Sequence, residues 1–293
     1  MIVITGGAGF IGSNLVAALE PRGAGLVVVD RLGHDEKWRN IAKRELEAVI
    51  PPQALFDHLD RAGTAIDCVF HLGAISSTTA ADADSIVANN FTLSQRLWAW
   101  CASHKVRLIY ASSAATYGDG TAGFDDDGSP EALARLRPLN AYGWSKHVFD
   151  RWVARQVERG EPRPPQWAGL KFFNVFGPNE YHKDSQRSVA HQIFETAQAG
   201  NPATLFRSHR KDYADGGQLR DFVWVDDVVD MMAWLHDQPG VSGLFNAGSG
   251  KARSFADLAG AVFAALGRPA DIRYVDTPAS LQPKYQYFTE ARM

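Results

Sequence analysis

The chain has 293 residues, of which 45% are hydrophobic and 22% charged, with a formal net charge of −3 at pH 7. These are globular proportions that exclude a largely disordered chain, and the slight acidity excludes a global drive toward nucleic acid or acidic membranes, so any anion site is local. A chain of this length forms one α/β domain with an appended lobe or two modest domains, and buries roughly 75% of its unfolded surface.

Residues 2–4 form a short apolar run that enters a glycine turn without a charged leader, and no uncharged apolar stretch of about 18 residues follows anywhere. This pattern reads as a cytoplasmic protein with no membrane segment. Residues 6–12 are Gly-Gly-Ala-Gly-Phe-Ile-Gly, and a helical stretch is expected over residues 11–19. Gly6, Gly9 and Gly12 thus stand between strand and helix. There glycine permits a tight turn and a close backbone approach to a pyrophosphate, and the free N–H groups of the helix start face the anion. A dinucleotide site built on Gly6, Gly9, Phe10, Ile11 and Gly12 is predicted.

A second apolar run, residues 26–29, ends at Asp30, where a carboxylate accepts from a ribose hydroxyl and by itself indicates NAD. Arg31 follows directly and Lys37 lies a few residues on; either cation neutralises a 2′-phosphate, so NADP is favoured with NAD as the alternative. Apolar runs at 68–70 and 107–110 alternate with a helical stretch over about 84–102, the pattern of a parallel sheet covered on both faces. The two cysteines, Cys68 and Cys101, fall in these runs and read as core thiols.

Residues 111–118 leave the fourth run at the carboxyl edge of the sheet, where ligands bind, and Ser113 is placed there to hydrogen-bond a reacting oxygen. The acidic residues 125–127 have no His or Cys beside them; they read as a solvated loop, and no metal site is expected. In the helix expected over 142–157, Tyr142 and Lys146 share a face one turn apart. That pair makes a base. Lowering a phenol from about 10 to about 7 takes on the order of 4 kcal/mol, which a lysine ammonium and an oxidised nicotinamide together supply.

A Pro-rich stretch at 161–165, a strand at 169–173 and a helix at 189–199 lead into loops and short strands. Residues 1–168 are therefore expected to form mainly the dinucleotide-binding domain. Residues 169–293 are expected to form mainly a smaller, irregular substrate-binding lobe, with some elements returning to the first domain.

Residues 6–12, Asp30, Ser113 and Tyr142 with Lys146 together resemble the extended short-chain dehydrogenase/reductases that modify nucleotide sugars. The likeness spans nearly the whole chain and includes Phe70-His71-Leu72-Gly73-Ala74 and Phe173-Asn174-Val175-Phe176-Gly177-Pro178. It implies an α/β fold: a Rossmann doubly wound parallel sheet with a smaller C-terminal substrate-binding lobe. It further implies that Leu72, Gly73, Ala74, Ile75, Ser76 and Asn89 line the cofactor, and that Asn174, with Val175 beside it, touches cofactor or substrate. Dehydratases of the family carry an acidic residue where Ala114 and Ala115 stand, which disfavours dehydration.

Within the family, Ser76-Ser77-Thr78-Thr79, Asn179-Glu180-Tyr181-His182-Lys183-Asp184-Ser185, Ser188-Val189-Ala190-His191, Arg220-Asp221-Phe222-Val223, Gly243-Leu244-Phe245-Asn246 and Lys284-Tyr285-Gln286 are similar to the branch acting on ADP-linked heptoses. The resemblance implies inversion of the heptose C6 for a lipopolysaccharide core precursor. Tyr142 and Lys183 would be acid/base groups on opposite faces of that carbon, and His182 a cofactor contact. Hydride removal makes chemical sense of this, because a C–H beside an ordinary alcohol is not acidic, whereas oxidation makes the carbon planar.

The same resemblance implies that His191, Phe206, Arg220 and Tyr285 hold the ADP-sugar and that the protein is a homo-oligomer, specifically a pentamer. Arg207, His209, Arg210, Lys211 and Arg220 concentrate positive charge suited to a diphosphate. The stretch Tyr213-Ala214-Asp215-Gly216-Gly217 is longer than the family pattern, and the chain stops at Met293 where family members continue. Two other readings compete: an epimerase or reductase of a UDP- or dTDP-hexose, which needs Tyr142 but not Lys183, and a non-catalytic dinucleotide-sensing regulator, whose mark would be loss of Tyr142 or Lys146.

Overall fold

Residues 2–172 carry strands β1 (Ile2–Thr5), β2 (Leu26–Val29), β3 (Ala48–Ile50), β4 (Cys68–His71), β5 (Arg107–Ser113) and β6 (Trp167–Phe172). In the computed structural model, which describes residues 1–293 except Asp35, Ser280, Pro283 and Lys284 and gives Ser185 by its backbone alone, six of these strands and a later one make a single sheet. Lys284, part of the family likeness, lies outside the described residues. The second half adds β7 (Asn174–Phe176), β8 (Ala203–Phe206), β9 (Leu219–Trp224), β10 (Gly243–Ala247), β11 (Ala252–Ser254) and β12 (Ile272–Val275).

The helices are α1 (Phe10–Leu19), α2 (Leu55–Ala62), α3 (Ala83–Ile86), α4 (Leu93–His104), α5 (Pro130–Arg135), α6 (Ala141–Glu158), α7 (Val189–Gln198), α8 (Val225–Asp237) and α9 (Phe255–Ala265). The sheet has seven parallel strands in the order β3-β2-β1-β4-β5-β6-β10. This is a doubly wound α/β fold whose direction of winding reverses between β1 and β4, the crevice where such sheets bind ligands. Two smaller sheets are ordered β11-β9-β7 and β12-β8.

Strands with helices on both sides must be apolar on both faces. Alternate residues of β1 show it: Val3 joins Val27, Leu97, Trp98, Leu108 and Phe149 on one side. Ile2 and Ile4 join Leu15, Leu19, Phe70, Val228 and Met232 on the other. A third cluster, with Ile193, Leu205 and Phe263, lies under α7 and α9.

Two elements depart from the sequence expectation in ways that shape the site. β5 runs on through Ser112 and Ser113, which pair with Lys171 and Phe172 of β6, so Ser113 sits at the strand tip. The helix expected over residues 84–102 is present and unbroken, but Val87–Thr92 between α3 and α4 is wound as a π turn. A π turn inside a helix widens it by one residue and commonly marks a functional region. Here it turns the buried Asn90 inward, where its amide exchanges two hydrogen bonds with the backbone of Ile75 (2.8 and 2.9 Å).

Candidate active site

The glycine turn is shaped by close approach. Gly6 has φ +70°, and a Cβ there would lie 2.7 Å from the Gly73 nitrogen; a Cβ on Gly12 would lie 2.2 Å from the Gly6 carbonyl oxygen. No side chain caps α1, so the N–H groups of its first turn have no side-chain acceptor and face the crevice. That open cradle fits a dinucleotide pyrophosphate.

Asp30 closes the turn. One carboxylate oxygen accepts from Ala8 N (2.9 Å); the other accepts from Arg31 N (2.7 Å) and from the Lys37 ammonium (2.6 Å). The Arg31 side chain is exposed at the rim.

Helix α6 begins under Asn140, whose side chain accepts from Gly143 N (2.8 Å), a standard N-cap. Gly143 lets the helix press against the turn after β5, since a Cβ would lie 2.7 Å from the Ala115 carbonyl oxygen. This contact brings Tyr142 to Ser113. Burial pushes the Tyr142 phenol above its ordinary range, the Ser113 hydrogen bond draws it down, and the Asp150 carboxylate raises it. Lys146 donates to the Ala111 carbonyl (2.8 Å), and its ammonium is lowered to about 8 by burial. The protein's own groups thus leave the Tyr142 phenol above its ordinary range, and the expected lowering rests on Lys146 together with an oxidised nicotinamide.

Two buried histidines, His147 on this helix and His71 at the end of β4, stay neutral. His71 is lowered to about 3 and His147 to about 4, in both cases chiefly by burial. Their folded values lie below the unfolded 6.5, so the unfolded chain binds more protons between those limits and stability is lost as pH falls from about 6.5 toward 4. Urea midpoints measured across that range should decline on acidification, and a flat profile would contradict the neutral assignment.

The segment after β7 folds over the start of α1. Glu180, buried, accepts from Gly177 N (3.0 Å), Ser188 N (2.5 Å) and Ser188 Oγ (2.7 Å), clamping both ends of the loop. Asn179 and Asp184 hold positive φ (74° and 47°) within it. Asn14 donates to the Pro178 carbonyl (3.1 Å), and Asn179 donates to Ser13 Oγ (3.0 Å). Asn40 donates to the Ala8 carbonyl (2.9 Å) and lies 3.3 Å from His182 Nδ1. The result is that the Lys183 amine sits 5.4 Å from the centre of the Phe10 ring. Burial lowers its pKa from the usual lysine range, against the opposing pull of Glu180.

These parts meet in three adjoining cavities and a side recess. The first, about 480 Å³, is lined by the glycine turn with Phe10 and Ile11, by Asp30 and Lys37, by Leu72, Gly73, Ala74 and Ser76, and by Tyr142, Lys146, His182 and Lys183. Arg31, Ile75 and Asn89 line the recess behind it, about 230 Å³. The next, about 550 Å³, shares Tyr142 and Lys183 with the first and adds Ser113, Asn174 and Val175. The third, about 390 Å³, continues from Asn174 to Phe206, Arg220 and Tyr285.

Asn174 thus lies on the second and third cavities and not among the residues of the first. His191 is not brought to the cleft. The α7 residues that line it are Val189, Gln192, Ile193 and Thr196, one face of a helix; His191 points away, with Nε2 3.3 Å from Glu195. Arg207 and Arg210 are paired on the surface with Asp276 (3.2 Å) and Asp212 (2.5 Å), so of the basic cluster Arg220 alone is placed along the third cavity. Asn40, Asn90 and Glu180 had not been singled out from the sequence. Glu180 stood in a motif of the likeness, but nothing in the local pattern marks the two asparagines, whose partners are remote in the chain.

The fold and the turn define the class, a Rossmann-like doubly wound protein with its glycine cradle at the point where the winding reverses. Residues 2–248 match the NAD dependent epimerase/dehydratase family, and the chain belongs to that family. Over 297 residues it is 48% identical to an ADP-L-glycero-D-manno-heptose-6-epimerase of Nitratidesulfovibrio vulgaris strain DP4, covering 100% of this chain and 90% of the relative. A protein of the same name from Fusobacterium nucleatum is 44% identical, with the same coverage. The crystal structure of the Helicobacter pylori ADP-L-glycero-D-manno-heptose-6-epimerase superposes with a TM-score of 0.78 at 30% identity, covering 94% of this chain and 84% of that one.

Proposed function

We propose that this protein is an epimerase that inverts C6 of an ADP-linked heptose by transient oxidation and re-reduction at a bound nicotinamide cofactor. The observation that carries the proposal is that Tyr142 and Lys183, from separate parts of the chain, line the same two cavities beside the glycine turn. The names of the relatives at 44–48% identity support the substrate.

The glycine turn, Asp30 and Lys37 would hold a nicotinamide dinucleotide, which when bound would supply reversible hydride exchange at C6. Tyr142, hydrogen-bonded by Ser113 and neighboured by Lys146, takes or returns the hydroxyl proton on one side of the carbon. Lys183, its ammonium destabilised by burial, handles the proton on the other side. Asn174, Phe206, Arg220 and Tyr285 would hold the ADP portion, with the Arg220 guanidinium 5.4 Å from the Tyr285 ring centre and available to a phosphate. In this reading residues 1–168 supply mainly the cofactor side and residues 169–293 mainly the substrate side, with His182 reaching back to the cavity of the glycine turn. A cytoplasmic location and a homo-oligomeric, pentameric state belong to the same proposal and follow from the family likeness alone.

NADP is the proposed cofactor. An uncompensated Asp30 would repel a 2′-phosphate, but Lys37 neutralises it at 2.6 Å and Arg31 stands at the rim. Arg31→Ala should weaken NADP binding about tenfold and leave NAD nearly unchanged; equal weakening in fluorescence titrations would count against the phosphate contact. The activity itself is tested by incubating the protein with either epimer of the ADP-heptose and following interconversion by NMR. Turnover of a UDP-hexose without turnover of the heptose would refute the substrate assignment.

A further inference from the structure

His71 is the last residue of β4, is 2% exposed, and takes no part in the chemistry above. Its surroundings fix where its proton sits. Ser94 Oγ donates to the Asn90 carbonyl oxygen (2.7 Å), which commits its only hydrogen. His71 Nε2, 3.0 Å from Ser94 Oγ, must therefore donate to it. Nδ1 is then the acceptor, and Thr5 Oγ1, at 2.7 Å, donates to it. Thr5 Oγ1 in turn accepts from Gly73 N (3.1 Å), and Gly73 packs against Gly6 of the dinucleotide turn.

The same direction continues past the π turn. Asn90 Nδ2 donates to Ser145 Oγ (3.0 Å), and Ser145 Oγ donates to the carbonyl of Tyr142 (2.7 Å). The bonds from Gly73 through Thr5, His71 and Ser94 to the Asn90 carbonyl, and those from the Asn90 amide through Ser145 to Tyr142, are thus donated in one direction. We propose that His71, neutral and protonated on Nε2, is a positioning residue that holds the glycine turn in register with the backbone of Tyr142. The inference rests on the catalytic reading of Tyr142 for its consequence, but not for the tautomer.

A cationic His71 would break the order. Nδ1–H would meet the Thr5 hydroxyl head-on, and Thr5 would have to turn away from its present bond. Burial and the nearby Lys146 ammonium both oppose that charge. Shared direction lets each bond polarise the next within each of the two runs, and Asn90, fixed by its side-chain bonds to Ile75, joins the runs mechanically.

Nitrogen NMR of histidine-labelled protein between about pH 5 and 8 tests the tautomer. His71 should remain a single Nε2–H species while exposed histidines titrate; titration in that range or an Nδ1–H form would overturn the proposal. For the positioning role, His71→Phe should lower kcat and cofactor affinity about tenfold each with the sugar KM little changed. His71→Gln, which can still donate to Ser94, should recover part of the loss, and adding Ser145→Ala to His71→Phe should cost less than the product of the single effects. A His71→Phe protein that loses only thermal stability, with kcat and cofactor affinity intact, would reduce the residue to packing and sink the role. If His71→Phe does not fold, Ser94→Ala is measured in its place, and the same losses support the role while intact kcat and cofactor affinity sink it. Because the NMR and cofactor titrations need no turnover, inactivity of the wild type on ADP-heptose would strike the epimerase reading and leave this one standing.

Discussion

Lys183→Met is expected to lower epimerisation about 10²- to 10⁴-fold while leaving the cofactor bound, and Tyr142→Phe to do the same. Both side chains line the cavities where the sugar carbon would sit, yet they come from different elements and have different neighbours. If each serves one face, each variant should retain one half-reaction. Mixed in stoichiometric amounts with one epimer, the Lys183→Met protein should show reduced-nicotinamide absorbance through Tyr142, and with the other epimer it should not; Tyr142→Phe should show the reverse preference. A Lys183→Met protein with wild-type rates would remove the two-base scheme. Loss of both half-reactions in both variants would mean that the two groups act together on one face.

The parts of this site that were legible in the sequence are those in which a short motif carries its own geometry. Residues 6–12 state a turn between strand and helix, and Tyr142 with Lys146 state one helix face. The structure places both on one cavity. Asn40 and Asn90 were not legible, because an asparagine becomes a site residue only through partners such as Ala8, His182, Ile75 and Ser145, which are far away in the chain. The π turn within the helix over 84–102 has a related cause: apolar spacing predicts helix but not the extra residue of a π turn. His191 is instructive in the other direction. Its motif does stand at the start of α7, but the helix period turns its neighbours Val189 and Gln192 to the cleft and leaves it outside. Helix α8, with Val225, Val228, Val229 and Met232 at helical spacing, carried a legible signal within a half of the chain that reads as irregular.

The second large effect is expected on stability, at Asp150 and Lys171. Their ion pair (2.7 Å) is wholly buried, with both side chains 0% exposed, between α6 and β6. Asp150 also accepts from Ser112 Oγ (2.6 Å) and Tyr110 OH (3.3 Å) of β5, and Lys171 donates to Thr116 Oγ1 (2.9 Å). Removing one partner leaves a buried charge without its ion-pair partner, so Asp150→Leu or Lys171→Met should each cost about 3–5 kcal/mol, a large share of the roughly 5–15 kcal/mol that holds a domain folded. Removing both takes away two desolvation costs along with the attraction. The double variant should therefore be more stable than either single one in urea unfolding. Activity should not recover in step. Asp150 lies one turn beyond Lys146 on the helix that carries Tyr142, and its bond to Ser112 fixes that helix against the strand tip bearing Ser113. A double variant restored in stability but still slow would show that the pair's contribution is the alignment of the hydroxyl and the phenol; one restored in both would show that packing alone holds them together.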